Sequence, residues 1–361
     1  MTKMPFASPY RSHIFRSFPV LSFFLPYSNT FNKIPHSHSK SCRPIMSEET
    51  HLSDYPKPLS PPLPAISKEI ELNRALSATS KSTSFYLTLK DVIFEDEWMV
   101  IVNKPQGIYC DTVLSSVPQL LNSKTDLTDS KTETNSLELH LANRLDRDTS
   151  GLMVITKSHK VAAKLVKAFT DHKVKKTYIS ICIGVAPIWD RISLKSGHGR
   201  SKFGVWRVYA ASDVGRSLPG GSSVRDMATT FEVLSVNGQG KFKEPTKLTI
   251  NEEDVLIVEE PGIVAGEKND EILVRAYPQS GRTHQIRLHS QYLGISIRGD
   301  VKYEGVSEWK GKVYNAHELH AETLTFDHPI TGLTVEFRAP LPSWATRALQ
   351  KELRQEEIVS H

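Results

Sequence analysis

Apolar residues along this chain come in short runs broken by polar punctuation, the pattern of strands rather than of long helices. Val92–Phe94 and Met99–Val102 are two such runs, stopped by Lys104, Pro105 and Gly107, and predict strand, turn and strand. "LMVITK" (152–157) predicts a short buried strand. Ser158 then caps a helix whose Val161, Leu165 and Phe169 recur every four residues and give it one apolar face. From Tyr178 onward strands dominate: "YISICIGV", "ATTFEVLSV", "KLTI", "VLIVEE" and "EILVRAYP", then "AETLTF" and "LTVEFRAP". One helix interrupts them near 284–293, after Gly281 ends a strand, with Thr283 as its expected cap. The pattern predicts an α+β protein with a mostly antiparallel sheet, in one catalytic domain spanning 84–345.

The polar stretches divide the rest. Residues 48–83 contain "YPKPLSPPLPAISKE" and read as a Pro/Ser-rich linker without a core of its own. Residues 122–136 are low-complexity and predict an exposed loop, 237–270 form an acid-rich surface excursion, and 346–361 are a C-terminal tail. There is no repeat of fixed period. No apolar run approaches the roughly 18 residues of a membrane span, so a soluble protein is expected.

Charge changes the picture only once it is divided. The chain has 361 residues and a formal net charge of +5. Residues 1–47 carry six basic residues and no acid, which leaves 39 basic against 40 acidic residues for the remainder. The Ser- and Arg-rich, acid-free leader has the composition of a transit peptide, so a mitochondrion or chloroplast is expected. A secretory signal built on Phe18–Tyr27, a disordered tail, or a start at Met46 in the cytoplasm or nucleus are the competing readings. Three widely spaced cysteines, Cys42, Cys110 and Cys182, without a C-x-x-C pair, argue against a disulfide framework and a structural zinc site. Any nucleic-acid footprint must therefore be local. Residues 157–176 hold seven lysines against one aspartate, and 191–225 hold five arginines and two lysines against one. The second stretch adds glycines and Phe203, Trp206 and Tyr209, a mixture of cations and stacking faces that suits RNA.

Two stretches concentrate reactive groups. "NRLDRDTSG" (143–151) ends in turn formers, and a backbone-capping polar turn is the simplest reading of it. Asp146 and Asp148 also invite a glycosidase reading, with two carboxylates as acid and base. No His, Cys or Asp sits at ligand spacing, so no metal is expected. "GRTHQIRLH" (281–289) places His284, Arg287 and Gln291 on one side of a helix.

Six motifs in order, "KPQG", "RLDRDTSG", "KKTY", "GRTHQIRLH", "GD..Y" and "LHA", resemble the RluA-type RNA pseudouridine synthases. The likeness spans about 90–340 and is nearest to a plant member without an S4-type RNA-binding domain. The resemblance implies the pseudouridine synthase fold, a mixed, mostly antiparallel sheet with helices and loops around a central RNA-binding cleft. It implies isomerisation of uridine in rRNA or tRNA without a cofactor; no membrane and no obligate protein partner are expected, and a monomer is the default. By the same resemblance Asp146 is the catalytic carboxylate, Tyr178 stacks on the target uracil, and Arg287 pairs with the aspartate. Arg144, Lys176, Arg282, His284, Gln285 and Ile286 are then expected to bind RNA or line the pocket. Asn143 stands where the family usually has His. A catalytically silent RNA-binding protein of the same fold is the alternative.

Overall fold

In the computed structural model, residues 55–125, 138–240, 254–262 and 270–349 are described. The predicted hairpin forms as β1 (Val92–Glu95) and β2 (Met99–Lys104), antiparallel. Helix α2 (Cys110–Thr125) follows, then β3 (His140–Leu141), β4 (Ser150–Thr156) and α3 (His159–Thr170). Ser158 caps α3 as expected, accepting from the Val161 amide. The strand-rich half contributes β5 (Lys175–Gly184), β6 (Arg191–Arg200), β7 (Trp206–Tyr209), β8 (Arg225–Val236) and β9 (Gln239–Gly240). It continues with β10 (Val255–Ile257), β11 (Asp270–Pro278), α4 (Gln285–Tyr292) and β12 (Ser296–Ile297). A small hairpin, β13 (Glu308–Trp309) with β14 (Lys312–Val313), precedes β15 (Leu319–Asp327) and β16 (Thr334–Arg338).

The main sheet runs β1-β2-β4-β15-β5-β11-β8-β6-β10. Only β4 with β15 and β6 with β10 pair in parallel along this path, so the sheet is mixed and mostly antiparallel. Period-2 alternation decides which face each side chain serves. In β2, Val100 and Val102 pack with α2 residues Val113 and Val117, while Met99 and Ile101 pack with Val161 and Leu165 of α3. Strand β4 is buried along its whole length because helices cover both of its faces. Further along, Val274 and Ala276 of β11 face Ile286 and Leu288 of α4; Leu273 faces the opposite side with Trp344 and Ala345.

Several boundaries differ from the sequence reading. The stretch 48–83 is not a coreless linker in its described part. Leu59 donates its amide to Val208, Ser60 accepts from the Val208 amide, and Leu59 and Leu63 pack against the core. Helix α1 (Ser67–Ser82) follows, and its buried Arg74 donates to the carbonyls of Gly299 and Tyr314. Prolines stiffen this strap without preventing edge pairing, because Leu59 still has its N–H. The tail begins later than 346, since residues 343–349 are helical and bury Ala348. Residues 122–125 end α2 rather than open a loop, and the 237–270 excursion contributes β9 and β10. Strand β11 ends at Pro278, before Gly281. Residues 1–47, the rest of the 122–136 stretch and "KLTI" lie outside the described residues. Among the described residues no helix is long and apolar enough to cross a membrane.

One glycine is required by this topology. Gly151, the second residue of β4, sits at φ +112° opposite Ala321 of β15, and an added Cβ would lie 2.2 Å from the Ala321 carbonyl oxygen. Gly151→Ala is therefore expected to lose roughly 2–4 kcal/mol of stability through backbone strain and overlap together. Urea denaturation checks this; a midpoint equal to wild type would contradict it.

Candidate active site

The turn 142–149 that enters β4 is tied down from every side. Asn143 donates through Nδ2 to the Leu152 carbonyl and accepts the Val154 amide on Oδ1, which fastens the turn onto β4. The Leu145 amide and carbonyl both engage Cys110 Sγ. Lys104 sends its ammonium to the carbonyls of Arg147, Pro105 and Ile108 at 2.7–2.9 Å, and Gly107 donates to Arg147 as well. Burial pushes the Lys104 pKa down to about 8, and the charges of Asp148 and Asp146 resist that fall. Thr149 closes the turn, its amide bonding the Asp146 carbonyl and its hydroxyl bonding His317. What leaves this scaffold is the Asp146 carboxylate, 28% exposed.

Opposite it stands Arg287, in the first turn of α4. Its Nη1 donates to Asp146 Oδ2 at 2.7 Å, while Nε and Nη2 fork onto Asp300 at 2.6 and 2.8 Å. The fork fixes the guanidinium, so its remaining nitrogen points at Asp146 without freedom to turn away. Tyr303 supports it with its ring 5.0 Å below the guanidinium carbon and bonds His284 Nδ1 through its hydroxyl at 2.7 Å. His284 brings its other nitrogen to 3.8 Å from Asp146 Oδ1. Burial works against the Asp146 charge, but His284, Arg287 and His317 outweigh it and hold the carboxyl well below the usual carboxylate range. Burial, then the charge of Arg287, pushes His284 itself down to about 3. The imidazole is thus neutral near pH 7, and Arg287 is the permanent cation that keeps Asp146 ionised.

A pocket of about 530 Å³ opens over this pair, and all nine residues singled out in the sequence line it: Arg144, Asp146, Lys176, Tyr178, Arg282, His284, Gln285, Ile286 and Arg287. They do not face it in the same way. Tyr178, from β5, and Ile286, from α4, supply apolar walls; burial and the Asp146 charge raise the Tyr178 pKa, so the phenol keeps its proton. Arg144 is 72% exposed and reaches Asp111 only at 3.8 Å. Lys176 donates to the Ser280 carbonyl, and burial followed by Arg282 lowers its pKa to about 8. Arg282 pairs with Asp226. Gln285 accepts from Ser280 Oγ and the Arg282 amide and donates to Ala228, so it braces the rim rather than offering its amide to a ligand.

Asp148 is buried and held by Arg147 through two nitrogens at 2.8 and 2.6 Å, with Arg147 also on Glu71 of α1. That grip leaves Asp146 as the one carboxylate presented to the pocket from this turn. Thr283 does not cap α4; the N-cap is His284 at φ 59°, a left-handed conformation that swings its ring toward Asp146 and Tyr303. Sequence reasoning assigned no role to Lys104, Asp300, Tyr303 or His317. The "KPQG" and "GD..Y" motifs were the available signal for the first three.

The comparisons with known proteins agree with this geometry. The RNA pseudouridylate synthase family matches residues 98–292. RNA pseudouridine synthase 1 of Oryza sativa subsp. japonica is 61% identical over 296 residues, covering 81% of this chain and 84% of that protein. RNA pseudouridine synthase 1 of Arabidopsis thaliana is 59% identical over 295 residues, covering 81% and 87%. Among solved structures, human RNA pseudouridylate synthase domain containing 4 aligns with a TM-score of 0.47 at 21% identity, over 78% of this chain and 98% of that one. A turn that presents one ionised aspartate, and a family match that contains both that turn and Arg287, lead to one conclusion: the chain belongs to the RNA pseudouridylate synthases, isomerases that convert uridine in RNA to pseudouridine.

Proposed function

We propose that Asp146 is the catalytic carboxylate of this isomerase and that its substrate is a uridine in rRNA or tRNA, extruded into the pocket between Tyr178 and Ile286. The observation that carries the reading is the line Asp300–Arg287–Asp146, in which a buried fork fixes the cation that fixes the reacting group. In the reaction the N1–C1′ bond of uridine breaks, the uracil turns within the pocket, and C5 bonds C1′ while C5 gives up its proton and N1 takes one up. Attack of the carboxylate on C1′, addition to C6, or removal of the 2′ proton each needs one unprotonated carboxylate beside the sugar and base. A base still in its stack could not reach Asp146, and unstacking is offset by the aromatic and apolar walls. Arg144, exposed at the rim, is suited to hold the RNA around the vacated position.

The pH profile is a direct consequence. Asp146 ionises below the carboxylate range, and His284 and His317 lose their protons near 3 and 4, chiefly because burial disfavours their charge. The single-turnover rate is expected to be flat from about pH 5.5 to 7, measured as pseudouridine formed in separate rRNA and tRNA fractions. An acid limb near the ordinary histidine pKa would contradict the assignment. Product in neither fraction would overturn the substrate class. The acid-free leader supports import into a mitochondrion or chloroplast. Residues 1–60 fused to a fluorescent protein should then direct it to one of these organelles, and a diffuse cytosolic signal would refute that.

A further inference from the structure

A second cavity, of about 600 Å³, adjoins the active-site pocket, and Gly281 and Arg282 line both. Its other walls come from β6, β7 and the start of β8: His198, Arg200, Trp206 and Arg225. Among the described residues no acid lines it, and Asp226 reaches its edge only through its pair with Arg282. Strand register explains the grouping. Arg200 lies directly across from Trp206, and His198 directly across from Arg225, so the four side chains share one face. The indole is held in place: its ring stacks on His198 with centroids 4.7 Å apart and planes 15° from parallel. His198 is itself buried and pinned to the Thr283 carbonyl, and burial keeps its pKa near 4, so the ring beneath the indole is neutral. Arg200 places its guanidinium 5.2 Å from the indole centroid. Beyond it the hairpin tip carries Lys202 and a Phe203 that is 80% exposed.

We propose that this cavity is a subsite for a nucleotide next to the target uridine in the RNA strand, its base stacking on the Trp206–Arg200 platform and its phosphate drawn to Arg225 and Arg282. The assignment deepens the reading of the chain as an RNA-modifying enzyme and rests on it. Continuity through Gly281 and Arg282 gives the subsite its position: one strand can enter both cavities without leaving the surface. A rigid aromatic ring backed by a second ring and flanked by cations binds bases through their faces and tolerates any base identity. The platform contacts neither Asp146 nor Arg287, so its contribution falls on capture of RNA rather than on the chemical step.

The test is fluorescence anisotropy with a labelled oligouridylate about twelve nucleotides long, on the full-length chain. Trp206→Ala should weaken binding roughly 5- to 100-fold, the worth of one stacked base, while Trp206→Phe keeps most of the affinity. Arg225→Ala should flatten the dependence of log affinity on log salt by about 0.7, the share of one phosphate contact on a single strand. With RNA as substrate, Trp206→Ala should raise KM and leave kcat within about twofold. Unchanged binding in Trp206→Ala, or equal losses in the Phe and Ala variants, would overturn the subsite. A fall in kcat without a change in binding would do so too. Because oligouridylate binding needs no isomerisation, an inactive wild type would defeat the catalytic reading while these binding results still decided the subsite.

Discussion

Arg287→Met is expected to lower the single-turnover rate by roughly a hundred- to a thousand-fold while RNA affinity changes little. The guanidinium is buried between two carboxylates and takes no part in the exposed cationic surface, so its removal spares the dispersed phosphate contacts that dominate affinity. Its loss strands Asp146 and Asp300 in a desolvated site. Breaking one partner out of such a buried group costs about 3–5 kcal/mol. The sign of the pH effect follows. Asp146 has a folded pKa below its unfolded one, so the ion pair stabilises the protein above the carboxylate range and loses that effect as pH falls through the folded value. Without Arg287, burial remains and the pKa rises, so an acid limb should appear in the rate within the measurable range, together with lower stability at neutral pH. Arg287→Lys supplies the charge but not the fork, and should recover stability better than rate. Equal losses of affinity and rate in Arg287→Met would assign the arginine to RNA binding instead.

Much of this architecture was legible because it depends on period. The alternation in "MVIV" sends Val100 and Val102 to α2 and Met99 and Ile101 to α3, and the four-residue spacing of Val161, Leu165 and Phe169 produces α3. What stayed hidden depends on partners far away in sequence. Arg74 lies in a segment whose prolines signal a linker, yet its value lies in two carbonyls more than 200 residues on. The grip of Arg147 on Asp148, which leaves Asp146 alone facing the pocket, is visible only in the fold. Lys104 looked like the end of a strand, and only the folded loop shows three carbonyls converging on its ammonium. Asn143 departs from the family pattern, but its amide can both donate and accept, and it uses both capacities on β4. The left-handed start of α4 at His284 had no local signal, since Thr283 offered a better cap by composition.

Asp146→Asn removes a charge and keeps a shape. The amide oxygen can still accept from Arg287, so the fold and the pocket should persist, while nucleophilicity and basicity are gone. The expected loss of rate is on the order of ten-thousand-fold or more, the scale seen when an essential reacting group is deleted and binding alone remains. Affinity for RNA should stay within about threefold of wild type, because phosphate contacts carry it. The decisive measurement is chemical mapping of pseudouridine in cellular RNA incubated with wild-type protein and with Asp146→Asn at matched, saturating concentration. Discrete uridines converted by the wild type and left untouched by the variant are the predicted result; the same uridines converted by both would contradict the role of Asp146.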